Sequence, residues 1–183
     1  MTFLRTFLTI IMNFKGLFKT MNIEKPEYCT GSGIIIYLDN RESIFTDLES
    51  DILYLFLGCN GEINKKYENM LDFPKGAIDK GEFSLDCAIR ETEEEIGFTA
   101  DDYNILEDEN NDTYRLECGR GLIMYIAEIK KDHIGRARLK KNPKTNILEH
   151  SSYHWSAYQE NIVNLPNYLQ NSLDWAHNIL TNK

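Results

Sequence analysis

Three glutamates, Glu91, Glu94 and Glu95, stand at i, i+3 and i+4 in a stretch whose apolar residues recur at helical spacing. On a helix they project from one face, and like charges at those separations repel by about 0.2–0.5 kcal/mol per pair. A hard divalent cation compensates such an all-oxygen cluster directly: Mg²⁺ or Mn²⁺ accepts a few carboxylates together with waters and substrate phosphates. A bare E-x-x-E-E is more often a solvated acidic face, so the flanking residues decide the reading. Gly76 is followed after five residues by Glu82, after seven more by Arg90 and Glu91, and the helical pattern ends at Ile96, Gly97 and Phe98.

These positions spell G-x5-E-x7-R-E-U-x-E-E-x-G-U, where U is a bulky aliphatic residue. Thr92 alone departs, holding a U position with a methyl group that can still pack inward. Residues 76–98 resemble the Nudix box, and 29–180 resemble a Nudix hydrolase domain in outline. The resemblance implies a metal-dependent pyrophosphohydrolase in which Glu91, Glu94 and Glu95, with a carbonyl near Gly76, hold Mg²⁺ or Mn²⁺. Such an ion neutralises phosphate oxygens and lowers the pKa of bound water. Glu82 and Arg90 suit an internal brace across the loop. Lys75, beside Pro74 and Gly76, either faces a substrate phosphate or is an exposed loop lysine. The general base is expected to be Glu149, which opens Glu149-His150-Ser151-Ser152-Tyr153-His154-Trp155, a segment resembling the one Nudix enzymes place opposite the box; Glu91 and Glu94 are the alternatives. Trp155 is expected in the core and Tyr153 as a base-stacking surface.

Two branches of the family compete. Phe73-Pro74-Lys75-Gly76 with Asp86-Cys87-Ala88-Ile89-Arg90-Glu91 resembles mRNA-decapping enzymes, whereas Thr92, residues 123–129 and Glu149, His150, Tyr153 and Trp155 resemble diadenosine tetraphosphate hydrolases. Too little chain precedes Gly31 for the helical regulatory domain of cellular decapping enzymes, which favours the small nucleotide. Diphosphoinositol polyphosphates are a third option, and a binding module that has lost catalysis a fourth; the latter should show eroded box carboxylates, and none is missing.

The elements that must position these residues are legible in outline. Apolar runs at 34–38 and 52–57, bounded by Gly33 and Gly58, read as buried strands, and residues 59–69 as a loop. Pro74, Gly76 and Gly81 keep the backbone irregular until Ser84 caps a helix, which Gly97 ends in a left-handed stop. Further strands are expected at 113–116, 122–129 and 150–155, and a closing helix carries Leu169, Leu173, Ala176 and Leu180. Strands on both sides of a central helix predict an α/β protein, an α/β/α sandwich with a mixed central sheet.

The chain has 183 residues and a net charge of −9, which argues against a general nucleic-acid coat and predicts no DNA partner; a polyanionic substrate needs a local cationic correction. Lys130, Lys131, Arg136, Arg138, Lys140, Lys141 and Lys144 supply one. They read as a phosphate dock, an RNA track or a solvated loop, with Lys140, Lys141 and Lys144 the candidate substrate contacts. Four cysteines without a C-x-x-C pair suggest neither a zinc site nor a disulfide framework, and a reducing, cytoplasmic setting. Residues 1–21 form an N-terminal extension with the composition of a targeting or interfacial segment, too short in its apolar run to span a bilayer. Residues 22–183 form the expected hydrolase domain.

Overall fold

The computed structural model describes residues 29–42, 44–46, 50–62, 65–119 and 121–182. The N-terminal extension expected at 1–21 lies outside the described residues.

The two central apolar runs form β1 (Gly31–Asp39) and β2 (Ile52–Cys59), and the third forms β7 (Leu122–Ile129). β1 and β7 run parallel, from Gly31 beside Leu122 to Tyr37 beside Glu128. Every other strand pairing in the sheet is antiparallel, so the sheet is mixed as expected. Both faces of the middle strands are buried, which is why they read as continuous rather than alternating apolar runs. Ile34, Ile36, Leu38, Leu53, Leu55 and Leu57 point to one face, where Ala88, Ile96 and Phe98 meet them. Ile35, Tyr37, Tyr54 and Phe56 point to the other, against Leu165, Leu169, Leu173 and Ala176.

The fold splays β1 away from β2, and the candidate site grows in the gap. Tyr37–Asp39 pair with β2, but on the same edge Gly31–Gly33 pair with a short strand, β4 (Lys75–Ala77). This strand is absent from the expectations above, because Pro74 and Gly76 signal irregular backbone and its three residues pair only through a distant partner. Gly33 lies inside β1 rather than before it: a Cβ there would come within 2.4 Å of the Pro74 carbonyl oxygen. β3 (Leu71–Asp72) pairs with the far end of β2, whose other edge carries β8 (His150–Ala157). Two short strands, β5 (Tyr103–Ile105) and β6 (Arg115–Cys118), line the outer edge of β7. β5 was not foreseen, and β6 starts later than the strand expected at 113–116, since Thr113 makes only an isolated bridge to Glu107.

Helix α1 (Ser84–Ile96) covers one face of the sheet. Ser84 is not its cap: Phe83 holds the cap position, and the Ser84 hydroxyl is spent on a buried 2.6 Å bond with the Tyr125 hydroxyl. Gly97 does end the helix, in the left-handed region at φ 80°. The stretch after the 3₁₀ turn Lys131–Arg136 satisfies the last helix carbonyls, with Arg138 N–H donating to Ile96 O at 2.7 Å and Lys140 N–H to Glu95 O at 3.1 Å. The chain closes with a short helix, α2 (Tyr158–Asn161), and with α3 (Asn167–Thr181), which covers the second face. Among the described residues no helix is long and apolar enough to cross a membrane.

Candidate active site

Close backbone approach gathers the site. Pairing of β4 with β1 lays Pro74, Lys75 and Gly76 beside α1, and Gly76 then lies directly beneath Glu91: a Cβ there would come 2.1 Å from the Glu91 carboxyl carbon. The loop that follows is braced as expected. Arg90 donates from Nε to Glu82 Oε1 at 2.8 Å and from Nη2 to Glu82 Oε2 at 3.0 Å, a two-pronged pair, and Nη2 also reaches the Ala77 carbonyl at 3.0 Å. Glu82 in turn accepts the Asp79 N–H at 2.9 Å. The Arg90 guanidinium accordingly holds the Glu82 carboxyl below the usual carboxylate range.

Arg90 also answers the like-charge crowding on the helix face. Its Nη1 lies 2.6 Å from Glu91 Oε1 and 3.5 Å from Glu94 Oε2. Burial pushes the Glu91 carboxyl up, the arginine opposes this, and the charges of Glu94 and Glu149 push it further up. Glu149 therefore stands in the electrostatic reach of Glu91 although about sixty residues separate them in the chain. The Asn142 side-chain amide holds it, donating from Nδ2 to Oε1 at 2.6 Å.

Glu95 faces a different environment. Only 7% exposed, it accepts the Lys75 backbone N–H at 3.3 Å on Oε2. His150 Nε2 stands 3.2 Å from the same oxygen, within ion-pair range though off the line of a straight hydrogen bond. The Lys75 ammonium is not an exposed loop cation: it pairs with Asp72 at 2.6 Å. Burial works against its charge, and Asp72 and Glu95 together outweigh burial and keep it protonated. Lys75, Asp72, Glu95 and His150 thus form a half-enclosed charge cluster behind the helix face. Asp72 and Asn142 carry no signal of a role in the sequence, and His150 stands out there only as part of the segment that follows Glu149, since the fold alone brings them here.

Thr92 behaves as its position asks, fully buried with its hydroxyl on the Ala88 carbonyl at 2.7 Å. Trp155 packs at the rim of the α1-side core. Tyr153, on β8, is partly exposed and leans its hydroxyl 3.4 Å from the Ala137 carbonyl. The basic stretch is largely paired off. Lys131 meets Glu42 at 2.7 Å, Arg136 meets Asp102 at 3.0 Å, and Lys130 donates to the Asp101 carbonyl at 2.7 Å. Lys140 stands 3.9 Å from Glu93, on a residue between the box glutamates, and Lys144 lies 3.2 Å from Asp79 in the box loop.

The family model for the NUDIX domain matches residues 44–175. The chain belongs to the Nudix hydrolase family. It is similar to an asymmetrical bis(5'-nucleosyl)-tetraphosphatase of Mus musculus, 36% identical over 90 residues, which are 48% of this chain and 55% of that protein. A Sus scrofa protein of the same name is 33% identical over 89 residues. The chain thus spans about half the length of the curated relatives it matches. The structure is similar to that of a C. elegans Ap4A hydrolase in a binary complex, with TM-score 0.59 and 20% identity over 84% of this chain and 99% of that one. A Nudix hydrolase from M. smegmatis gives TM-score 0.58 at 11% identity over 85% of this chain and 87% of that one. These likenesses show the α/β Nudix fold. The Nudix family typically uses a divalent metal.

The residues of this Nudix hydrolase fit such an ion by their chemistry. The Glu91 carboxylate occupies the space a side chain on Gly76 would fill, so it packs directly against the backbone there, and Glu95 Oε1 bonds no described residue. Among the described residues, however, no three acidic, histidine or cysteine side chains already converge on one point, because Arg90 draws Glu91 and Glu94 onto itself.

Proposed function

We propose that this hydrolase cleaves a phosphoanhydride of a dinucleoside polyphosphate, of which diadenosine tetraphosphate is the type, into unequal mononucleotides. The observation that carries the reading is the assembled box: Gly76 lies so close beneath Glu91 that a Cβ would come 2.1 Å from its carboxyl carbon, and Arg90 joins Glu82 to Glu91 and Glu94. The names of the curated relatives point to the same substrate class. Glu91, Glu94 and Glu95, with the Gly76 carbonyl, would hold Mg²⁺ or Mn²⁺, which supplies charge neutralisation at the phosphate oxygens and a more acidic water. Glu149 would take the proton as the water oxygen bonds phosphorus and the bridging oxygen leaves with its nucleotide. Asn142 would keep Glu149 aimed, and Arg90, tied to Glu82, would set the angle of the helix face. Lys144, beside the box loop, and Tyr153, exposed on β8, are the candidate contacts for outer phosphates and a base, with Lys140 and Lys141 flanking.

Pairing of the cations at 130–144 with neighbouring acids and carbonyls weighs against an RNA track and hence against the decapping reading. A parallel turnover assay tests the choice, offering diadenosine tetraphosphate and a capped RNA with Mg²⁺ or Mn²⁺. Release of unequal mononucleotides, stopped by EDTA and restored by either ion, supports the proposal; preferred release of the cap nucleotide from RNA overturns it.

A further inference from the structure

Glu95 is held from one side. The Lys75 N–H donates to Oε2, His150 Nε2 stands 3.2 Å from the same oxygen in ion-pair range, and no described residue bonds Oε1. Glu91 and Glu94 are arranged otherwise, both leaning on Arg90. His150 is itself 6% exposed, and neither ring nitrogen makes a hydrogen bond to a described residue, so the 3.2 Å ion-pair contact of Nε2 with Glu95 Oε2 is its polar contact there. Burying an imidazole so sparsely bonded is costly, and the carboxylate of Glu95 is the group that offsets it. The depth of His150 comes from the strand it opens. β8 meets β2 across an irregularity at Gly58 and Cys59, with His150 opposite Cys59, and the close approach there leaves a Cβ on Gly58 only 2.3 Å from the Ser152 hydroxyl.

We propose that His150 is a positioning residue of the divalent-cation site: its contact with Oε2 locks the Glu95 carboxylate so that Oε1 is the oxygen presented to the ion. This rests on the reading of the box as a cation site. The Lys75 N–H alone leaves the carboxylate one donor about which to swing, and the imidazole packed 3.2 Å from the same oxygen restricts that swing. Outer contacts of this kind orient metal-binding oxygens, and their loss costs about 10–100-fold in metal affinity.

The test is Mn²⁺ binding to the whole chain without substrate, read by the electron paramagnetic resonance of the free ion, with thermal unfolding in EDTA to check the fold. His150→Ala is expected to weaken Mn²⁺ binding about 10–100-fold, and His150→Gln, which keeps a donor at similar reach, to recover most of the loss. In a Glu95→Gln background, His150→Ala should cost little more, since the histidine acts through that carboxylate. A folded His150→Ala variant that binds Mn²⁺ as tightly as the parent overturns the proposal, as do fully additive losses in the double variant. If His150→Ala does not fold, His150→Met fills the space without a strong donor, and equal affinity in the Met and Gln variants overturns the proposal equally. A parent chain that binds no Mn²⁺ overturns the cation-site reading along with it, whereas a binding parent with an unaltered variant overturns the role of His150 alone.

Discussion

At the scale of single residues, the candidate site is organised by two partners that compete for the same carboxylates. Arg90 holds Glu82 with two prongs and touches Glu91 and Glu94 with its remaining nitrogen, so it balances the acidic face in this structure while it ties the loop down. Gly76 sets the other limit. Gly76→Ala would drive a methyl group into the Glu91 carboxylate, which must then swing aside. Displacements of about an ångström near reacting groups cost about 100-fold in rate, so turnover of Gly76→Ala is expected to fall about 100-fold with the circular dichroism spectrum preserved; near-parental turnover would show that the close approach is dispensable. The box was legible from its spacing because helical periodicity places Glu91, Glu94 and Glu95 on one face wherever the helix sits. The contact of His150 with Glu95 and that of Asp72 with Lys75 were not, because nothing in a lone histidine or aspartate announces the strand beside which it will lie.

At the scale of elements, the helix bearing the glutamates is held at both ends by chain distant from it. Its end is closed by Gly97 and by the backbone N–H groups of Arg138 and Lys140. Gly97→Ala forces a side chain into the left-handed region, within 3.3 Å of the Arg138 carbonyl oxygen and Lys140 Cε. A cost of about 1 kcal/mol is expected, or about 2–4 °C of melting temperature for a chain of this size. The capping segment is itself latched by Asp102, which is buried and accepts the Thr99 N–H and hydroxyl and the Arg136 guanidinium, with His133 Nδ1 2.9 Å away. Burial works to raise the Asp102 carboxyl, but the bonds from Thr99 and Arg136 prevail and hold it below the ordinary aspartate value of 3.8. A carboxyl depressed on folding contributes stability above its unfolded value and loses it as the pH falls through its folded value. Asp102→Asn should therefore lower the urea midpoint at neutral pH, and its deficit relative to the parent should shrink once the pH drops below about 3.8; a deficit that is constant across that range would remove the charge from the explanation. The basic stretch reads differently in this light. Its backbone caps the helix and several of its cations are already paired, which a charge count along the sequence has no means of showing.

At the scale of the whole molecule, one sheet carries two separate cores, and the chemistry lies on the side of α1. Leu173, on the helix covering the opposite face, is fully buried among Ile35, Tyr54 and Met124 and their neighbours. Leu173→Ala is expected to destabilise the fold by about 2–5 kcal/mol while leaving the KM of the folded enzyme unchanged; a substantial rise in KM would reveal coupling across the sheet. The α/β/α architecture followed from the sequence because strands buried on both faces need helices on both sides. The short strands β4 and β5 escaped detection, being three residues each and stabilised only by partners far along the chain. By itself the sequence determined the chemistry of the box, its helix and the left-handed stop after it, since these depend on spacing along a few turns and on what glycine alone adopts easily. The tertiary structure decided which groups meet which carboxylates: that Lys75 pairs with Asp72, that His150 backs Glu95 and that Asn142 holds Glu149. Those contacts depend on how β3, β4 and β8 register on the two central strands, and register is set by packing across the sheet rather than by neighbours in the chain.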